Sequence, residues 1–165
     1  MRSPFVAAAA IVVAVPLVPA GQQVELDRTL QRVYGTAITS SDVRRARVLK
    51  LAGEAQSDQD VLTSLENRLL ILRELSRGAA VDPEAASVSS RRKEWSAGWP
   101  AGTDLNTLLT ANGMSDQAMD GWCRDDVKIA MYLDQRFGAG GDPQRAGRVS
   151  SWIKDLRQRA NLPAR

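Results

Sequence analysis

Carboxylates and a single thiol are the side chains of this 165-residue chain that could carry chemistry beyond packing. Asp125-Asp126, Asp58-x-Asp60 and Glu54 supply acids. General acid–base work needs two carboxyl groups held together in a pocket with their pKa values pushed apart. The first pair is adjacent on a helix and points to different sides of it; the second opens a helix, where capping accounts for it. Cys123 is the sole cysteine, which excludes an intramolecular disulfide and a thiolate metal cluster. Met119, Val127 and Ala130 share its helical side, so it is expected as a buried small apolar residue and not as a nucleophile. With no histidine in the chain, a Ser-His-Asp triad, a Cys-His pair and a His-ligated metal are excluded. The expectation is no enzymatic centre, no cofactor and no metal.

Two basic clusters, Arg44-Arg45-x-Arg47 and Arg91-Arg92-Lys93, have the composition of a nucleic-acid footprint. Against that stand 22 basic and 19 acidic residues, a net charge of only +3, and no recognisable reading motif. Solvated helix faces are the expected role of both clusters, with no nucleic-acid partner. Recognition chemistry is better matched by tryptophan and methionine, which offer large, partly amphipathic or flexible contact area. Trp95, Trp99 and Trp122 fall near the breaks at Gly98–Gly102 and Gly113. Trp122 and Trp152 sit at helical spacing and are expected in the core. Trp95, Trp99, Met114 and Met119 flank irregular segments and are the candidate contact residues for an apolar groove, with Trp99, beside Pro100, expected to be exposed.

The elements that must position these groups are nearly all helical. Tyr34-Gly35 separates two short runs, Thr29–Val33 and Thr36–Ile38, as in a β-hairpin with a tight turn. Thr39, Ser40, Ser41 and Asp42 then supply a helix start. Six helices are expected: about Ser41 to Ala52, ended by Gly53; Asp58 to Arg77; one opened by Asp82 as N-cap with Pro83 at its first position; Asp104 to Ala111; Ser115 to Phe137; and Pro143 to Ala160. In the first, Val43, Ala46 and Leu49 face inward, with Val48 a further candidate. The second carries the broadest apolar stripe, Val61, Leu62, Leu65, Leu69, Leu72 and Leu75. The fifth presents Met119, Trp122, Cys123, Ala130, Leu133 and Phe137. The last places Val149, Trp152, Ile153, Leu156 and Ala160 on one face, which must dock on the same core as the second.

Ahead of all this, Met1 and Arg2 form a positive n-region, Phe5–Val15 an apolar h-region, and Val18-Pro19-Ala20 a small-residue cleavage site. Residues 1–20 therefore read as a secretory signal peptide, in preference to a retained N-terminal anchor. That leaves 21–165 as one helical domain outside the cytoplasm with no stable membrane insertion.

Leu26, Asp27, Val33, Gly35, Ile38, Thr39, Ser41, Asp42 and Val43 follow the pattern "hydrophobic–Asp–x–hydrophobic … Val–x–Gly–x–x–Ile–Thr–x–Ser–Asp–Val". With them this segment resembles the opening of the periplasmic SurA-type chaperones. The order continues through Leu62, Leu65, Leu69 and Leu70, then Val81–Glu84, then Gly113–Ser115, to Arg136-Phe137. Residues 148–161 resemble the family's C-terminal segment, which folds back on the N-domain. The resemblance implies a chaperone domain without its parvulin isomerase, because the connector from Gly138 to Arg148 is too short to hold one and the histidines of that site are absent. It further implies an ATP-independent holdase whose partners are unfolded or outer-membrane proteins. The alternative is a periplasmic adaptor that binds one folded partner.

Overall fold

A computed structural model describes residues 27–53, 55, 57–78, 81–140 and 142–163. The leader expected at residues 1–20 lies outside them. Strands β1 (Thr29–Val33) and β2 (Thr36–Thr39) pair antiparallel, with a register irregularity between Thr29 and Gln31. Tyr34 and Gly35 both adopt positive φ, 48° and 89°, as a two-residue turn of the primed type requires. Helix α1 (Ser40–Val48) starts in a capping box: the Thr39 hydroxyl accepts from the Asp42 amide, and the Asp42 carboxylate accepts from the Thr39 amide at 3.0 Å. Asp27 Oδ1 accepts from Ser40 Oγ and the Ser41 amide, and hydrogen bonds from Ser41 and Thr39 hold its carboxyl well below the usual carboxylate range.

The first helix is shorter than its sequence suggests. It stops at Val48 and not near Ala52, because Lys50 turns left-handed (φ 54°) and the Leu51 amide bonds back to the Ala46 carbonyl at 2.8 Å. This Schellman ending folds Leu51 inward and leaves Val48 exposed, while Leu49 is fully buried. Gly53 also has positive φ but lies beyond the stop.

Helix α2 (Asp58–Leu75) opens with a second capping box, Ser57 with Asp60. Val61, Leu62, Leu65, Leu70, Ile71 and Leu75 are buried, so its apolar face is wider than one stripe, and Leu69 and Leu72 lie at its margin. Val33, Ile38, Val43 and Ala46 pack against it from the hairpin and α1, and Trp152, Leu156 and Leu162 from the C-terminal end. Helix α6 (Arg145–Arg159) thus docks on α2 as expected. Nothing in the pattern announced the ion pair that fastens it: Arg157 Nη2 donates to Glu66 Oε2 at 2.7 Å with both residues buried. Arg157 also reaches Asn67 Oδ1 and the Pro163 carbonyl.

Helices α3 (Ala85–Ala97), α4 (Leu105–Ala111) and α5 (Asp116–Phe137) complete the fold. Val88, Trp95, Leu109, Met119 and Cys123 meet Leu49 in a second core. Asp82 is not the N-cap of α3, nor is Pro83 its first residue; Glu84 occupies the cap and makes no side-chain bond there. The Asp82 carboxylate is taken instead by Lys128 of α5, 2.7 Å away, whose hydrogen bond and charge lower its pKa. Asp104 and Ser115 do cap α4 and α5 through the Thr107 and Ala118 amides. Among the described residues no helix is long and apolar enough to cross a membrane.

Candidate functional site

Helix α5 runs past both cores, its first half against α3 and its second against α2 and α6. Because α2 and α3 each pack on it, a groove of about 980 Å³ remains along α5 between them. Leu65 and Ile71 of α2 and Trp122, Val127 and Ile129 of α5 supply its apolar surface. Ser64 and Asn67 of α2 and Ser87 and Ser90 of α3 add small polar groups. Ala130, expected to face inward, is exposed and lines this groove.

Charged groups cross the groove in compensated pairs. Arg68 pairs with Asp126, donates to the Trp122 carbonyl at 3.0 Å, and places its guanidinium 3.8 Å from the Trp122 ring centroid. Arg91 Nη2 meets the second oxygen of Asp126 at 2.9 Å, so one carboxylate ties α2 and α3 to α5. Arg145 of α6 pairs with Asp134 and donates to the Gly138 carbonyl. The clusters expected as solvated faces are therefore partly structural. Arg91 and Arg92 bond to acids of α5, Arg45 donates to the Asn112 carbonyl at the end of α4, and Arg47 pairs with Asp58.

The residues singled out from sequence divide into three kinds. Trp95 and Met119 belong to the second core; Trp95 Nε1 donates to the Leu49 carbonyl at 2.8 Å. That burial corrects the expectation that they lie outside the core, since a Gly/Pro break nearby in sequence does not decide what packs on a side chain in space. Trp99 is partly buried, its ring edge-on to Trp95 at 6.0 Å between centroids and covered by Lys50 Nζ at 4.4 Å. Met114 lines a smaller cavity of about 330 Å³, with Ile38, Leu69, Leu72 and Trp122. Trp122 lines both cavities and, partly buried, packs against both cores, in keeping with the core role that sequence spacing assigned it.

Among the described residues, the indole N–H groups of Trp99 and Trp122 are buried without a hydrogen-bond partner. For Trp99 this gives a direct test. Trp99→Phe removes a desolvated donor worth about 1–3 kcal/mol while keeping the aromatic edge, so its urea midpoint should equal or exceed the parent's. Trp99→Ala should fall by about 2–4 kcal/mol through lost packing.

Cys123 is buried as expected, and desolvation together with Asp126 raises its thiol pKa, which opposes thiolate chemistry. Among the described residues no group of three or more Cys, Asp or Glu is placed to hold a metal ion. Comparison with protein-family models, curated proteins and solved structures finds no match in any of the three.

Proposed function

We propose that the chain is an exported, ATP-independent chaperone that holds unfolded polypeptide in the groove between α2, α3 and α5, without prolyl isomerase activity. The observation that carries this reading is the groove itself: about 980 Å³, open along α5, apolar at Leu65, Trp122 and Val127, with its ionic groups already paired. Such a surface binds apolar segments without selecting a charge and stays solvated when empty. The resemblance of Leu26–Phe137 to SurA-type chaperones and the leader-like residues 1–20 support the same reading and point to outer-membrane proteins as clients.

Purified protein from Gly21 onward should suppress aggregation of a diluted, unfolded β-barrel protein without ATP. Val127→Asp, which puts a charge among the groove's apolar groups, should weaken that suppression several-fold with the fold retained. No suppression at any ratio would leave the adaptor reading, in which one folded partner docks on this face.

A further inference from the structure

We infer that the first half of α3 is a hinged wall of the groove, anchored at Trp95 and latched to α5 by ion pairs, which opens on its own and more readily as ionic strength rises. The opening is independent of what the groove holds; its use in admitting a client rests on the chaperone reading above. Apolar burial gives α3 little grip. Of its 13 residues only Val88 and Trp95 are buried, and no partly buried apolar side chain of the helix packs on either core. The opposite wall, α2, buries Val61, Leu62, Leu65, Leu70, Ile71 and Leu75. From Glu84 to Ser90 every residue but Val88 is exposed, and Glu84 caps the helix without a side-chain hydrogen bond. Segments with few buried apolar contacts are the ones that open locally, at a free energy well below that of global unfolding.

Charge supplies most of what holds α3 on α5. The two helices approach closely, and Asp82, just ahead of α3, pairs with Lys128 at 2.7 Å, Arg91 with Asp126 at 2.9 Å, and Arg92 with Asp116 and Asp120. In each pair one partner is exposed to solvent, so salt screens the attraction. The far end of α3 is fastened differently. Trp95 Nε1 donates to the Leu49 carbonyl, its ring meets Trp99 edge-on, and the Arg92 guanidinium lies 5.1 Å from its centroid. The helix therefore turns about Trp95, and what lifts is the half that lines the groove with Ser87, Ser90 and Arg91. Parting Arg91 from Asp126 leaves Asp126 bonded to Arg68, so the groove widens on the α3 side while α2 stays tied to α5. Opening also uncovers Cys123, the chain's one thiol, which packs with Val88 and Trp95 in the second core.

The test follows Cys123 labelling by N-ethylmaleimide, an uncharged reagent, in the chain from Gly21 onward, each rate being divided by that of the same chain unfolded in urea at the same salt. Labelling should run at least about tenfold faster than global unfolding allows, and should rise about fivefold between about 20 mM and about 500 mM NaCl. Arg91→Gln should label faster at low salt and gain less from added salt. Glu84→Ser, which gives α3 a capping hydroxyl, should slow labelling about threefold. Labelling only at the rate set by the urea-unfolding equilibrium would overturn the local opening. Equal rates at both salt concentrations would overturn the ionic latch, and an unchanged rate in Glu84→Ser would overturn the placement of the opening at the start of α3. A cysteine-free unfolded β-barrel protein in excess should raise labelling further, because a client in the groove keeps α3 off α5. Unchanged labelling with aggregation still suppressed would overturn the wall's part in admitting clients and leave the chaperone reading intact; salt-dependent labelling with no suppression would overturn that reading and leave the opening.

Discussion

Arg157→Met is expected to cost about 3–5 kcal/mol of stability, a larger loss than its place near the C-terminus suggests. Glu66 is fully buried and Arg157 is only 4% exposed, so removing the guanidinium takes a 2.7 Å charge-assisted hydrogen bond away from a carboxylate in the core. The same change releases Asn67 and the Pro163 carbonyl, which Arg157 also bonds. For a chain of this length the loss corresponds to roughly 10 °C in Tm. Glu66→Met together with Arg157→Met should recover most of it, because a buried pair replaced by apolar groups of similar volume is close to neutral. Thermal and urea unfolding of the two single variants and the double variant give the coupling directly. Equal stability of Arg157→Met and the parent would mean that the pair contributes nothing net.

That pair also shows where sequence reasoning loses its grip. Helix starts were legible where their chemistry is local: Thr39 with Asp42, Ser57 with Asp60 and Ser115 with Ala118 each lie three residues apart, whereas α3 begins at Glu84 without a side-chain cap and the expected cap Asp82 is taken by Lys128. The hairpin was legible too, where Gly35 marks the turn. Helix ends were legible where glycine or asparagine marks them. Gly113 takes the left-handed position after α4, with the Met114 amide bonded to the Leu109 carbonyl. Asn161 takes the same position after α6, where the expected end at Ala160 matches the observed cap; Lys50 takes it after α1 without advertising it, held there by its bond to the Gly98 carbonyl and its place over Trp99. Each ending turns the next residue, Leu51, Met114 or Leu162, back toward the protein interior.

The groove was less legible than the fold. Its cross-ties join residues far apart in sequence, Arg68 to Asp126 and Arg91 to Asp126, and an arginine on a helix has the same pattern whether it faces water or a distant carboxylate. The aromatic and methionine signal led to the second core, where Trp95 reaches the Leu49 carbonyl; Met114 lines the smaller cavity, and the unselected Trp122 and Met131 line the groove. Small polar residues on α2 and α3 carry no periodic signal, so Ser64, Ser87 and Ser90 drew no notice until α5 brought them to one groove.

Trp152→Ala should rank with Arg157→Met among the most damaging changes on α6. Trp152 is buried against Tyr132 and Phe137 of α5, with ring centroids 5.8 and 5.5 Å away, and the Arg136 guanidinium lies 5.2 Å from its own centroid. Truncating a buried tryptophan costs about 3–5 kcal/mol, from lost transfer free energy and from the cavity left behind. Trp152→Phe, which keeps most of the aromatic contact, should cost less than half of that. Here the loss reaches beyond stability, because α6 packs on the second half of α5 and on α2, two of the three helices that line the groove. Its Arg145 is itself at the groove, bonded to Asp134 and to the Gly138 carbonyl. A loosened α6 should therefore reduce peptide affinity in the folded fraction while Trp152→Phe preserves it. An unfolding midpoint for Trp152→Ala equal to the parent's would show that α6 docks without stabilising the core, and the spacing of α2 and α5 would then have to be set by Arg68 and Asp126 alone.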